Sequence, residues 1–114
     1  MSFNRQKAEQ IWRTVAKVPQ GQVASYGLIA DLAGLPGRAR LVGRVMQYAP
    51  DSMQLPWYRI LRSNGQLAFA PGSASARRQQ GLLEQEGVVV NNNRVNLKHF
   101  GWKPGLGELM ELEF

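Results

Sequence analysis

The chain has 114 residues, 44% hydrophobic and 19% charged, with no cysteine and a single histidine, His99. That is one domain over 1–114, with no disulfide, no thiolate nucleophile, no cysteine-held zinc and no expected metal or cofactor. Net charge is +6, and seven arginines from Arg38 to Arg78 against one acid, Asp51, mark the middle of the chain as a surface for a polyanion, although charge alone leaves open a merely well-solvated basic face.

No apolar run approaches the length of a bilayer span, and the opening Met1 to Lys7 has no apolar signal core, so a cytosolic protein without a membrane partner is expected. Ala8, Ile11, Trp12, Val15 and Ala16 recur at three-and-four spacing, which predicts a helix from about Asn4 until Pro19-Gln20-Gly21 stops it. Ser25 caps a second helix carrying Leu28, Ile29, Leu32 and Ala33, and Gly34 ends it. After the turn Leu35-Pro36-Gly37, a third helix starts near Arg38 and ends before Pro50. Two helices joined by a short glycine-containing turn read as helix-turn-helix.

On the third helix Ala39, Val42 and Met46 point one way, while Arg40, Gly43, Arg44 and Gln47 form a second, polar stripe. Gly43 costs ~1 kcal/mol relative to alanine in a helix interior, which close approach of a protein or nucleic-acid backbone would explain. Packing against Gly43 with Arg40 and Arg44 solvated is the alternative, and the helix-turn-helix pattern favours DNA contact. The run from Leu55 to Leu61 is expected to be extended, and Asn64-Gly65 to turn it back through Gln66 to Phe69 as a two-residue hairpin that resembles a wing.

Ala70 to Ser75 reads as an exposed, lid-like loop, with Ser75 capping a fourth helix that holds Leu82 and Leu83 and ends at Gly87. Val88 to Val90 and Arg94 to Leu97 suggest a second small hairpin across Asn91-Asn92-Asn93. Phe100 and Trp102 are expected to pack back on the body. The core is placed over about 3–103, and the acidic tail over 105–114, with Glu108, Glu111 and Glu113, is expected to be partly frayed. The fold class is α+β and mainly helical: a winged helix-turn-helix with small β-hairpins.

Three segments are specific in order and spacing: Val23-Ala24-Ser25-Tyr26-Gly27 with Ala33-Gly34, then Arg38-Ala39-Arg40-Leu41-Val42-Gly43, then Leu55-Pro56-Trp57-Tyr58-Arg59-Ile60-Leu61. Together they resemble the C-terminal DNA-binding domain of the O6-alkylguanine-DNA alkyltransferases, from the first helix to about Gly87. The reactive members carry Pro-Cys-His-Arg, whose cysteine takes the alkyl group. This chain has Pro56-Trp57-Tyr58-Arg59 and so is similar to the alkyltransferase-like proteins, in which tryptophan usually holds that position. Tyr58, where both groups usually have histidine, is a further departure.

The resemblance implies a non-enzymatic sensor of O6-alkylguanine in double-stranded DNA that flips the damaged base, shields it and flags it to nucleotide-excision repair proteins, acting as a monomer. It implies that Tyr26 presses on the phosphate 3′ to the lesion and that Arg40 fills the space the base leaves. Arg38, Ala39, Leu41, Gly43 and Arg44 would lie with it in the minor groove. Trp57, Tyr58, Phe69 and Ala70 would surround the base, with Pro56 and the backbone of Val45 and Met46 nearby, and Arg59 would brace the motif through Glu86. Arg62 and Ser63 are assigned to phosphates by charge and hydroxyl alone.

Chemistry agrees with the missing acceptor, because dealkylation needs an activated nucleophile in line with the alkyl carbon. An indole nitrogen is none, and Tyr58 is a phenol of ordinary pKa ~10. Deamination would need zinc-bound water, for which the ligands are lacking. Glycosylase chemistry, and a winged-helix regulator without lesion preference, stay open on sequence alone.

Overall fold

The structure is a computed structural model that describes residues 4–112 and 114; the expected core limit at Phe3 and the tail residue Glu113 lie outside the described residues. Helix α1 spans Arg5–Ala16, and the Asn4 side chain accepts the Lys7 backbone N–H at 3.1 Å as its cap. Ala8, Ile11, Trp12 and Val15 are buried, whereas Ala16, expected on the same stripe, is exposed. Strand β1, Ala24–Ser25, leads directly into α2, Tyr26–Leu32. The Ser25 hydroxyl accepts the Leu28 N–H at 3.0 Å, satisfying one of the free donors at the start of the helix.

Helix α2 ends in a paired cap. Gly34 takes φ +79, its N–H bonds the Asp31 carbonyl at 3.1 Å, and the Leu35 N–H bonds the Ala30 carbonyl at 2.9 Å. A left-handed residue at this position costs glycine nothing and leaves few helix carbonyls unpaired. Helix α3, Ala39–Met46, packs across α1 and α2. Its inner stripe is Leu41, Val42 and Val45, in place of the expected Ala39, Val42 and Met46.

The Leu55–Leu61 run is mostly not extended. Pro56 takes φ −77 and ψ 64, an inverse γ-turn in which the Trp57 N–H reaches the Leu55 carbonyl at 2.8 Å. A single 3-10 turn over Trp57–Arg59 follows, and only Ile60–Leu61 forms a strand, β2. It pairs parallel with β1, Ala24 opposite Ile60 and Ser25 opposite Leu61. The expected wing shrinks to a three-residue loop: the Arg62 N–H bonds the Gln66 carbonyl at 2.9 Å, and Asn64 does not take the positive φ that a two-residue turn needs. The return segment pairs elsewhere, with Leu67 N–H on the Asn93 carbonyl and Val95 N–H on the Gly65 carbonyl, both 2.9 Å. Gly65 is required there, because a Cβ would lie 2.5 Å from the Val95 carbonyl oxygen.

The second hairpin is a single bridge between Asn91 and Arg94, with both central residues, Asn92 and Asn93, at positive φ. Helix α4, Ala74–Gln85, is capped by Ser73, whose hydroxyl accepts the Ala76 N–H at 3.1 Å. Ser75, the expected cap, lies exposed in the first turn, because Gly72 at φ +79 bends the chain two residues earlier. Helix α5 covers Leu97–Phe100, and the acidic end folds into α6, Leu106–Glu111. Leu112 is buried against the core, and Lys17 Nζ bonds Glu111 Oε2 at 2.5 Å. These contacts replace the expected fraying.

Alternation along the paired strands divides the interior in two. Ala24 and Ile60 face a first cluster with Ile11, Trp12, Ile29 and Val42, while Val23 and Leu61 face a second with Leu67, Leu83, Val88 and Val95. Two residues on each strand therefore join a three-helix body to the segment that carries Trp57. Among the described residues no helix is long and apolar enough to cross a membrane.

Candidate nucleic-acid interface

Because Ser25 caps α2 while its backbone pairs with Leu61, Tyr26 begins the helix beside the chain that leaves β2. Tyr26, Gly27, Ala39, Arg40, Gly43, Arg62, Ser63 and Ala68 line one open groove of about 390 Å³. The groove thus gathers the first turn of α2, the outer face of α3 and the short loop after β2. Burial raises the Tyr26 phenol above its ordinary pKa, and the Arg62 guanidinium pulls it partly back, so the hydroxyl is a neutral donor at pH 7. Arg38, Arg40 and Arg44 are all exposed along α3, and none forms an ion pair among the described residues.

Gly43 has room in front of it. A Cβ there would meet nothing nearer than Tyr26 Cε1 at 3.8 Å, an ordinary contact. No protein backbone therefore demands glycine at this point. At two expected contact positions on the same helix, packing takes up the groups concerned. Leu41 does not face outward but is 8% exposed in the first core cluster. The Val45 side chain is fully buried, and its carbonyl accepts the Trp12 indole N–H at 2.9 Å. Both have one cause: packing on α1 selects positions 41, 42 and 45 as the inner stripe, which turns the Leu41 and Val45 side chains inward and leaves the Val45 carbonyl bonded to Trp12.

A second depression, of about 430 Å³, lies between the end of α3, the following loop and Trp57; Met46, Ala49, Pro50, Asp51, Gln54, Leu55 and Trp57 line it. Gly43 borders the groove and Met46, three residues on, borders the cavity, so both open on one side of α3. Gln54 holds its place with a left-handed backbone, φ 46 and ψ 50, an uncommon conformation for a residue with a Cβ. Trp57 meets Phe69 edge to face with ring centroids 6.2 Å apart, meets Tyr58 at 5.8 Å, and carries the Arg78 guanidinium 5.7 Å from its ring centroid. Pro56 sets the turn behind it, and Ala70 is exposed and borders neither depression.

Tyr58 points away from the cavity. Its hydroxyl donates to Glu86 Oε2 at 2.7 Å, and Arg59 binds the same carboxylate twice, Nε to Oε1 at 2.9 Å and Nη2 to Oε2 at 2.6 Å. The Gly21 N–H adds a bond to Oε1 at 3.0 Å, and Arg59 Nη1 reaches the Val18 carbonyl at 2.8 Å. Burial works against the Glu86 charge, but the bonds from Arg59, Gly21 and Tyr58 outweigh it and hold the carboxyl below its ordinary pKa. The Arg59 guanidinium is raised above its own by the bond to Glu86, against the opposing effect of burial. For Tyr58, burial first and the bond to Glu86 second push the phenol up. The Tyr58 oxygen is thus a neutral phenol donating to Glu86, and it does not border the Trp57 cavity.

One supporting residue escaped sequence reasoning. Gln79 is fully buried; its Nε2 donates to the carbonyls of Tyr58 at 3.1 Å and Ile60 at 3.2 Å, and its Oε1 accepts the Ala68 N–H at 3.1 Å. It fastens the Trp57 turn and the Phe69 return to α4 with one side chain. The available signal was its position three residues after Ala76 and four before Leu83, a polar residue on the apolar stripe of a helix. His99, the single histidine, lies in α5 beside Phe100 and Arg94, in a different depression from Trp57. Among the described residues no three His, Cys, Asp or Glu side chains converge to hold a metal.

Residues 6–88 match the family model described as the 6-O-methylguanine DNA methyltransferase DNA-binding domain. The chain is 34% identical to a DNA base-flipping protein of Vibrio parahaemolyticus, over 83% of this chain and 94% of that one. It is equally, 34%, identical to alkyltransferase-like protein 1 of Schizosaccharomyces pombe, over 83% of this chain and 93% of the other. A crystal structure of S. pombe Atl1 in complex with damaged DNA containing O6-carboxymethylguanine superposes with a TM-score of 0.79 at 31% identity, covering 90% of this chain and all (100%) of that one. The helical α+β architecture, the spacing of α2, α3 and the Trp57 turn, and these likenesses agree, and the chain belongs to the family of the 6-O-methylguanine DNA methyltransferase DNA-binding domain, among its alkyltransferase-like members.

Proposed function

We propose that this protein binds duplex DNA with the outer face of α3, rotates an O6-alkylated guanine into the cavity beside Trp57, and leaves the adduct chemically intact. The observation that carries the proposal is the juxtaposition on one side of α3: an open groove bordered by Arg40 and Gly43, and a cavity bordered by Met46 and Trp57. Arg40 is long, has a planar guanidinium and forms no ion pair among the described residues, so it can enter the stack where a nucleotide leaves. Among the described residues Gly43 has no neighbour that forbids a side chain, which fits a helix that must come close to a sugar-phosphate backbone.

Trp57 offers an aromatic wall to the extruded base, a contact worth ~1–3 kcal/mol by analogy with single-strand binders. Transfer of the alkyl group is unsupported, since the chain has no cysteine and the Tyr58 hydroxyl is engaged with Glu86. The related base-flipping and alkyltransferase-like proteins, one of them crystallised with damaged DNA, support the same reading. The proposal extends to a monomer in the cytosol that hands the marked lesion to nucleotide-excision repair, which the family resemblance supports.

Titration of otherwise identical duplexes containing guanine or O6-methylguanine, at one stated salt concentration, tests the reading. Tighter binding to the methylated duplex is expected, with mass spectrometry finding the adduct unaltered after incubation. Equal affinities, or a methyl group on the protein or free methylguanine in solution, defeat it. Arg40→Ala should lower lesion affinity by tenfold or more, roughly the loss of one good charged contact.

A further inference from the structure

Asp51 is the only acid between Arg38 and Arg78, and it stands at the cavity beside Trp57. It is exposed and makes no ion pair among the described residues. The other lining residues are Met46, Ala49, Pro50, Gln54, Leu55 and Trp57, so among the described residues Asp51 supplies the only formal charge in the wall. Arg78 rests over the Trp57 ring at 5.7 Å but does not line the cavity. An unpaired carboxylate weakens attraction for phosphates on a surface otherwise rich in arginine. Its effect is most direct on whatever occupies the cavity, where water is partly displaced and charges are less screened.

We propose that Asp51 sets the charge preference of the lesion pocket, so that guanines with neutral or cationic O6 substituents are accepted and those with anionic substituents are disfavoured. The inference rests on the reading of this cavity as the seat of the flipped base. Gln54, in the same wall, offers an amide that can donate and accept, so a neutral polar substituent finds a partner. A carboxylate of similar size meets a like charge instead. At a separation of about 6 Å and an effective permittivity between that of a protein surface and water, that repulsion is about tenfold in affinity.

Three duplexes of one sequence test this, carrying O6-methylguanine, O6-carbamoylmethylguanine or O6-carboxymethylguanine, with the guanine duplex as the reference. The carbamoylmethyl and carboxymethyl groups are close in shape and differ in charge, so their affinity ratio cancels most of the phosphate attraction. The expected result is about three- to tenfold tighter binding of the carbamoylmethyl duplex, a ratio that falls as salt rises. Asp51→Asn should bring the ratio near one. Equal affinity for the two duplexes in the unaltered protein overturns the inference, as does a ratio that Asp51→Asn leaves unchanged. Preference for the carboxymethyl duplex that is lost in Arg78→Ala overturns it too, and assigns the field to the arginine. If no adduct is preferred over guanine, the flipped-base reading itself fails, an outcome distinct from lesion preference without charge preference.

Discussion

The two sides of the Pro56-Trp57-Tyr58-Arg59 segment follow opposite rules. Behind it, Tyr58, Arg59 and Glu86 bond to one another and to the backbone of Val18 and Gly21, and Gln79 takes up the carbonyls of Tyr58 and Ile60. In front of it, Trp57 borders an open cavity, and Arg40, Arg44 and Asp51 have no ionic partner among the described residues. Polar groups shut away from water must be paired inside the protein, or the fold loses their solvation without return. Groups on the front stay hydrated until a ligand arrives. The comparison identifies a rigid back that fixes the direction of Trp57 and a front whose pairing is left to a partner.

The largest effect should come from Glu86→Ala. It leaves the Arg59 guanidinium, whose side chain is 14% exposed, without its carboxylate, and loss of one member of a buried pair costs about 3–5 kcal/mol. Urea unfolding checks this. A loss below about 1 kcal/mol would mean that the back is not what holds the turn. Gln79→Leu comes next: it strands two carbonyls and the Ala68 N–H, at a cost of about 2 kcal/mol. Hydrogen exchange at the Ala68 amide should quicken more than exchange in α1, whereas uniform quickening would assign Gln79 to general packing.

Acid separates the two sides more gently. Since the Glu86 carboxyl lies below its ordinary pKa in the folded protein, the stability it adds is complete above the usual glutamate range, near pH 4.3, and is lost as pH falls through the lower folded value. The thermal midpoint should therefore drop below that range in the unaltered protein and drop less in Glu86→Gln. Parallel curves would refute the role of the carboxylate. The smallest effect is on the front and has the opposite sign. Gly43→Ala removes a helix-interior glycine with no clash, because the new methyl meets only Tyr26 at 3.8 Å. The fold should gain about 1 kcal/mol while duplex affinity falls; unchanged affinity would show that nothing approaches α3 at this point.

Much of the front was legible before any coordinates. Arg40, Gly43 and Arg44 share a helical stripe by spacing alone, and the Ser25 and Gly34 caps of α2 fall where a short side-chain acceptor and a left-handed residue are needed. The back was harder to read. Arg59 and Glu86 came together only through a family resemblance, and Gln79 is one of several polar residues in Arg77-Arg78-Gln79-Gln80 with nothing local to single it out. Ser73 and Ser75 are equal candidates for a cap until the chain bends at Gly72. The inner stripe of α3 was read as Ala39, Val42 and Met46 because apolar residues stand on more than one line of that helix, and contact with α1 chose Leu41, Val42 and Val45.

Sequence by itself determined helices α1 to α4, the Ser25 and Gly34 caps of α2, the basic stripe and the lack of a sulfur acceptor, since each depends on residues within a turn or two of one another or on composition. Tertiary structure decided the parallel pairing of Ala24–Ser25 with Ile60–Leu61, the turn of Tyr58 toward Glu86, and the place of Asp51 beside Trp57. Those outcomes depend on which distant groups remain to be buried or paired once the helices have packed, and no local pattern encodes that remainder.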